Sequence, residues 1–303
     1  MASRNPPIGG KKSGLAFAVA SLGIFFFSGM DAVMKALSIA IGTYNAMLWR
    51  ILVGAAIGGT LWLALRSPRP SRAALRIHLI RGAMSSAMAI LFFWGLARVP
   101  LAQGVALAFV APLIALYLAA LVLKEEIERQ AIWGSVLGFV GVLVILAAQA
   151  QADMGPEALM GALSILASAV FYAWNIVLMR QQALVAKPLE VAFFTGLFVG
   201  LCYSPFAPFL AALPPVEHYP SILAAAVLGL GSLMLLSWAY ARAEAQFLAP
   251  VEYTAFIWAG LFGIAIFAEP VRLLTLVGAA MIVAGCYIAA RRTPSPVVDA
   301  GIG

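Results

Sequence analysis

The feature that most restricts this chain is the return, from Gly14 to Ala290, of nearly uncharged apolar runs about 20 residues long, the length a helix needs to cross a bilayer. Splitting the runs at charges, prolines and turn residues gives ten candidate spans: 14–34, 43–65, 77–97, 101–123, 131–150, 158–179, 189–210, 220–241, 247–268 and 272–290. A backbone in hydrocarbon finds no water to bond, so each span must satisfy its own N–H and C=O groups as a helix. The expectation is an all-α polytopic membrane protein. Composition agrees, because 10% of the residues are charged whereas a soluble domain carries roughly 25%. One large buried core is no alternative, since the runs recur along the whole chain.

The connections are short, the longest at 66–76, 151–157 and 211–219, which leaves no room for a soluble domain. Lys11-Lys12 ahead of the first run resembles a signal peptide, but that run continues to Met34 and reads as a retained helix. Counting Lys and Arg in alternate loops puts fourteen on the side of the two termini and three (Lys35, Arg98 and Arg272) on the other. Tails 1–13 and 291–303 are therefore expected in the cytoplasm. The net charge of +7 is scattered over these loops, with no basic patch interleaved with aromatics, so a nucleic-acid partner is not expected. Cys202 and Cys286 fall inside apolar segments and support neither a disulfide framework nor a metal site.

A faint self-match then organises the spans. At an offset of 144, Trp94 meets Trp238, Ala97 meets Ala241, Arg98 meets Arg242, Glu125 meets Glu269, Gly134 meets Gly278 and Gly141 meets Gly285. Only eight of 53 positions in this window are identical, so the weight rests on the rarer types and on the glycines seven apart. Near the start of each half, Phe26-Phe27 meets Phe171-Tyr172 and Lys35 meets Arg180 at an offset of 145. Five spans per half is an odd number, so the second copy must cross in the opposite sense. The expected architecture is two inverted five-helix repeats, 14–150 and 158–290, joined by a linker at 151–157. Such repeats can exchange conformations and open a central site to each side in turn.

With Gly95-Leu96-Ala97-Arg98-Val99-Pro100-Leu101-Ala102-Gln103 entering the fourth span, Lys124-Glu125-Glu126 leaving it, and Tyr240-Ala241-Arg242-Ala243 and Ala268-Glu269-Pro270 in the equivalent places, the chain resembles the EamA-type branch of the drug/metabolite transporter superfamily. Within that branch it is most similar to the YddG-like amino-acid exporters of bacterial inner membranes. The resemblance covers about Gly14 to Arg292. It implies alternating access, with the third, fourth, eighth and ninth helices around a central cavity and the first and sixth helping to line it. Many relatives carry proline in the second-half counterpart of the fourth span. Here Phe256 stands opposite Pro112 and Pro250 lies earlier, so the two halves are expected to bend differently.

Aromatic residues with a polar edge are the first substrate candidates, because they stack on an apolar side chain while bonding its polar end. Tyr172, Trp174 and Asn175 lie mid-span in the sixth helix, and Tyr253 and Trp258 lie in the ninth, opposite Phe109 and Ile114. An interhelical hydrogen bond is the plainer reading of Asn175. Ser85 and Met88 of the third helix share the side of Arg81 and complete the substrate set together with Phe109. Pro112 is the expected hinge, Pro250 a helix start, and Glu125 and Glu269 are expected to anchor loops or gate them. Among intramembrane charges, Asp31 and Lys35 stand four apart with the acid first, which favours a helical ion pair; Asp31 could instead face the cavity and meet an ammonium group or a proton. Glu252 is the other acid to watch, while Arg50 and Arg81 are expected to reach water at the interfaces.

An enzyme is not expected, since there is no HExxH, no Walker A sequence and no metal-ligand spacing around His78 or His218. No cofactor is expected, and the partners are a small-molecule substrate and the bilayer, with the protein a monomer. A channel stays open as a reading, because pores can be lined with Ser and backbone carbonyls. Among carriers, scarce deep bases disfavour phosphorylated substrates. Several aromatics with few charges suit amino acids that are neutral, hydrophobic or aromatic, with multidrug or other small-metabolite export as the alternative.

Overall fold

The computed structural model describes residues 10–123, 129–150, 155–242, 248 and 251–290. These form α1 (Gly10–Ile41), α2 (Thr43–Ala64), α3 (Arg72–Leu96), α4 (Leu101–Ala108), α5 (Ala111–Leu123), α6 (Arg129–Ala150), α7 (Gly155–Val185), α8 (Pro188–Tyr203), the short α9 (Ala207–Leu210), α10 (Tyr219–Tyr240), α11 (Thr254–Phe267) and α12 (Leu273–Ala290), with no strand among the described residues. Six segments are long and apolar enough to cross a membrane: Gly14–Ile41, Thr43–Ala64, Arg72–Leu96, Gly155–Ile176, Pro188–Leu210 and Val216–Tyr240. Shorter apolar helices occupy the places of the other four expected spans. This is a multi-pass membrane protein.

Helix ends are set by backbone punctuation more than by charge. The first helix runs to Ile41, past the Met34 boundary expected from Lys35, and stops where Gly42 takes φ 78°, a conformation open to a residue without Cβ. The third begins at Arg72, where the Ser71 hydroxyl accepts the Ala74 N–H at 3.1 Å, so its basic first turn continues the helix beyond the apolar run.

A turn falls at the same matched position in both parts of the chain. α4 ends at Ala108 and α5 begins at Ala111, leaving Phe109 and Val110 as a turn. Pro112 supplies no N–H for the carbonyl four residues back and its ring crowds that carbonyl, which is a sufficient cause. In the second half the chain turns at Tyr253, 144 residues on, although Phe256 replaces the proline. There the Thr254 hydroxyl donates to the Val251 carbonyl at 2.6 Å and competes with the regular ladder. Pro112 in the first half and Thr254 in the second thus stand at matched turns. Pro250 and Glu125 lie outside the described residues.

The matched glycines explain the packing of α6 against α12. A Cβ on Gly141 would stand 2.7 Å from the Gly278 carbonyl oxygen, and one on Gly278 would stand 2.7 Å from that of Gly141; Gly285 lies just as close against Gly134 and Gly138. Only bare backbones approach this closely. Because 134 pairs with 285 and 141 with 278, the helices run antiparallel and each residue's contact is returned by its counterpart. The opposite face of α6 exposes Ile132, Trp133, Val136, Phe139, Val140 and Leu143 to the lipid side. Elsewhere α3 lies along α7 and α1 along α10. The rare matched pairs close their helices alike: Arg98 lies 3.7 Å over the Trp94 ring and donates to the Trp94 carbonyl, and Arg242 lies 4.1 Å over Trp238 and donates to the Trp238 carbonyl.

Candidate functional site: charged and aromatic groups between the helices

Three polar assemblies lie between the helices. The first zips α3 to α7 and α8. Arg81 Nε donates to Asn175 Oδ1 at 3.0 Å and its Nη1 donates to Gln182 Oε1. Gln182 Nε2 reaches His78 Nδ1 and, at 3.4 Å, Thr195 Oγ1, while His78 Nε2 meets Glu190 Oε1 at 3.2 Å. Asn175 Nδ2 also donates to Ser85 Oγ at 3.0 Å and to Met88 Sδ at 3.8 Å. Asn175, Ser85 and Met88 are thereby brought together, with Asn175 engaged in interhelical bonds. The expectation that Arg81 snorkels to water is corrected: its side chain is buried and held by two amides. His78, Gln182 and Glu190 went unremarked as partners, since they come from three helices and no local pattern joins them.

The second assembly closes the opposite end. Lys35 Nζ donates to the Val99 carbonyl at 2.7 Å, pairs with Glu269 Oε1 and lies 4.8 Å from the Phe267 ring centroid. Glu269 Oε2 accepts the Leu101 N–H at 2.8 Å, so one carboxylate neutralises a lysine from α1 and caps the positive end of α4. The preceding residue, Ala268, is in the left-handed region at φ 52°, and the Glu269 N–H returns to the Gly263 carbonyl at 3.0 Å, a turn that aims the carboxylate inward. The expected helical ion pair of Asp31 with Lys35 is corrected here. Lys35 turns to a partner 234 residues away, because a solvated i,i+4 pair is worth only a few tenths of a kcal/mol, far less than a buried charge-assisted bond.

Between these ends lies the third group. Tyr172 of α7 is near enough to Glu252, Asp31 and Arg81 for their charges to act on it. The Tyr240 hydroxyl of α10 donates to Glu252 Oε1. Tyr253, beside Glu252, meets Phe109 edge-to-face with centroids 5.3 Å apart; these are the matched positions at the two helix breaks. Cys286 Sγ adds a contact to the Phe109 carbonyl at 3.5 Å. Tyr253 and Phe109 are thus in contact beside Glu252, with Pro112 just beyond the turn, while Asp31 and Tyr172 are linked to this group only through the reach of their charges.

Two predicted residues are not. Trp174 falls on the exposed stripe of α7 with Leu163 and Val170, turned away from Tyr172. Trp258 packs edge-on to Phe25 at 4.8 Å, on the flank where α11 meets α1. Among the described residues no group of His, Cys, Asp and Glu is arranged to hold a metal ion.

Comparison with known proteins fits this arrangement. Over 287 residues, 92% of this chain and 96% of the relative, the sequence is 27% identical to the pseudopaline exporter of Pseudomonas aeruginosa. It is 26% identical over 216 residues to an S-adenosylmethionine uptake transporter of Rickettsia bellii, covering 68% of this chain and 69% of that one. A protein of known crystal structure superposes with a TM-score of 0.62 at 22% identity, over 91% of this chain and 96% of the other, a likeness of fold. The model of the EamA-like transporter family matches twice, at residues 14–147 and 159–291. The chain belongs to the EamA-like transporter family.

Proposed function

We propose that the protein is a secondary transporter of ten membrane spans in two inverted five-helix repeats, which exports neutral, hydrophobic or aromatic amino acids across the bacterial inner membrane by alternating access. Both termini lie in the cytoplasm and the working unit is the monomer. The observation that carries this reading is the contact of Phe109 from the first half with Tyr253 from the second, ring centroids 5.3 Å apart, beside the hydrogen bond of Tyr240 to Glu252. A site made by both halves is rebuilt whenever they move, as alternating access requires.

The architecture is supported by the double match of one family model, by the reciprocal antiparallel glycine contacts and by the shared position of the helix breaks. Exchanging the halves also turns the α3–α7 packing into the α10–α1 packing. Charge counting assigns Lys35, the 98–100 loop and Glu269 to the outer side, and these groups do meet. The Lys35–Glu269 contact then serves as the outer gate, closed in this conformation, with Pro112 and Thr254 at the bends. Export agrees in direction with the pseudopaline exporter, and an amino-acid cargo with a relative named for a methionine derivative.

The test is counterflow in proteoliposomes with a panel of labelled amino acids, repeated under an imposed pH gradient. Saturable exchange accelerated by substrate on the far side is expected. Flux strictly linear in concentration would make the protein a channel, and no exchange with any amino acid would remove the substrate class.

A further inference from the structure

The buried polar groups of this protein divide unequally. Arg81 and Lys35 each donate to two oxygens, Arg81 to Asn175 and Gln182 and Lys35 to Val99 and Glu269. By contrast, among the described residues the buried side-chain atoms without a hydrogen-bond partner are Ser28 Oγ, Asp31 Oδ1 and Ser38 Oγ on α1, Arg50 Nε on α2 and Ser232 Oγ on α10. All five lie on three helices that pack on one another. Asp31 and Arg50 feel each other electrostatically, yet no ion pair joins them among the described residues. Among the described residues, the hydrogen bond of Arg50 is a long one, from Nη2 to Met47 Sδ at 4.0 Å, and its Nη1 lies against the bare backbone of Gly229, where an added Cβ would come within 3.0 Å.

We infer that Asp31 and Arg50 form a two-point clamp for a zwitterion, Asp31 taking the α-ammonium and Arg50 the α-carboxylate of the transported amino acid. This rests on the amino-acid reading of the central site. Opposite charges that stop short of closing on each other leave two unmet demands in a medium where such demands are costly. A proton or simple cation would meet the carboxylate alone and be repelled by the guanidinium. A simple anion would suffer the reverse. A molecule carrying both charges a few atoms apart satisfies both at once. The Ser28 and Ser232 hydroxyls stand one helical turn from Asp31 and Gly229 respectively and offer further bonds to the same head group. The clamp also lies one turn below Lys35, so occupied and empty states differ directly beneath the outer contact.

The experiment is competition counterflow in proteoliposomes, using the best amino-acid substrate, its N-acetyl derivative and its methyl ester. In the wild type, each derivative is expected to compete at least about tenfold more weakly than the parent, the loss of one charged hydrogen bond. Asp31→Asn should shrink the penalty on the N-acetyl derivative and leave that on the ester, Arg50→Gln should do the converse, and Arg50→Lys should keep the wild-type order. The variants are compared only as monodisperse protein on size exclusion, and the wild-type arm needs no variant at all. Derivatives that compete as well as the parent in the wild type overturn the clamp, and so do variants that weaken parent and derivatives by one common factor. Wild-type protein that exchanges no amino acid but does exchange another solute overturns the amino-acid reading and the clamp together.

Discussion

Removing the charge of Glu269 separates a gate from a brace. In Glu269→Gln an oxygen is kept for the Leu101 N–H, while Lys35 loses its counter-charge and retains the Val99 carbonyl and the Phe267 ring. Breaking a fully buried pair costs about 3–5 kcal/mol. Here Lys35 is 2% exposed and Glu269 23%, so solvent screening reduces the expectation to about 2–3 kcal/mol. If the contact exists only with the outer side closed, that energy is lost from one state alone, and the equilibrium moves toward the outward-open state by about 30-fold for 2 kcal/mol. A reporter is available at Ala102, buried behind the contact in the cleft that Glu269 also lines. In a background with Cys202 and Cys286 changed to serine, Ala102→Cys should react with an external membrane-impermeant maleimide at least about tenfold faster once Glu269→Gln is added. Lys35→Met combined with Glu269→Gln removes both charges and should return thermal stability to within about 1 kcal/mol of wild type. Unchanged labelling in Glu269→Gln, or a double variant whose losses simply add, would refute the reasoning.

Three further outcomes are expected from thermal melts in detergent. Ala268→Gly relieves a left-handed backbone and should stabilise by about 1 kcal/mol; a loss would mean the methyl group packs usefully. Gly141→Ala and Gly278→Ala should each destabilise by about 1–3 kcal/mol by pushing α6 and α12 apart, whereas Gly196→Ala, with open space at its Cβ, should be neutral or stabilising. Asn175→Ala strands Arg81 Nε and Ser85 and should cost about 1–3 kcal/mol; no loss would show the network to be replaceable by water.

Much of the architecture was legible because membrane helices announce themselves by length, and because rare residues repeated at one offset. Trp94 with Arg98 and Trp238 with Arg242 proved to be the same helix-end device used twice. The glycines seven apart proved to be one crossing. Which face of a helix looks inward was much less legible. In lipid both faces are apolar, so the periodicity that orients a soluble helix is weak, and Trp174 was assigned to the wrong side for that reason. Local rules failed where partners are distant: Asp31 and Lys35 satisfy the spacing of an ion pair, but Glu269 and Val99 claim Lys35. The sequence sets Phe109 opposite Tyr253 at the offset of 144. That the two rings touch could be known only once the halves were folded together.

The reciprocal crossing of α6 and α12 has a consequence for what the interior can hold. Reciprocal contacts, in which Gly134 meets Gly285 while the counterparts Gly278 and Gly141 meet each other, are those of a symmetric homodimer, and such a dimer must duplicate every group it places near its axis. Here both sides belong to one chain. The positions matching Asp31 and Arg50 at an offset of 145 are Ile176 and Thr195. In the proposed inverted repeat the crossing thus keeps a two-fold pattern that Asp31 and Arg50 do not share, so a molecule with distinct ends would meet the two halves unequally.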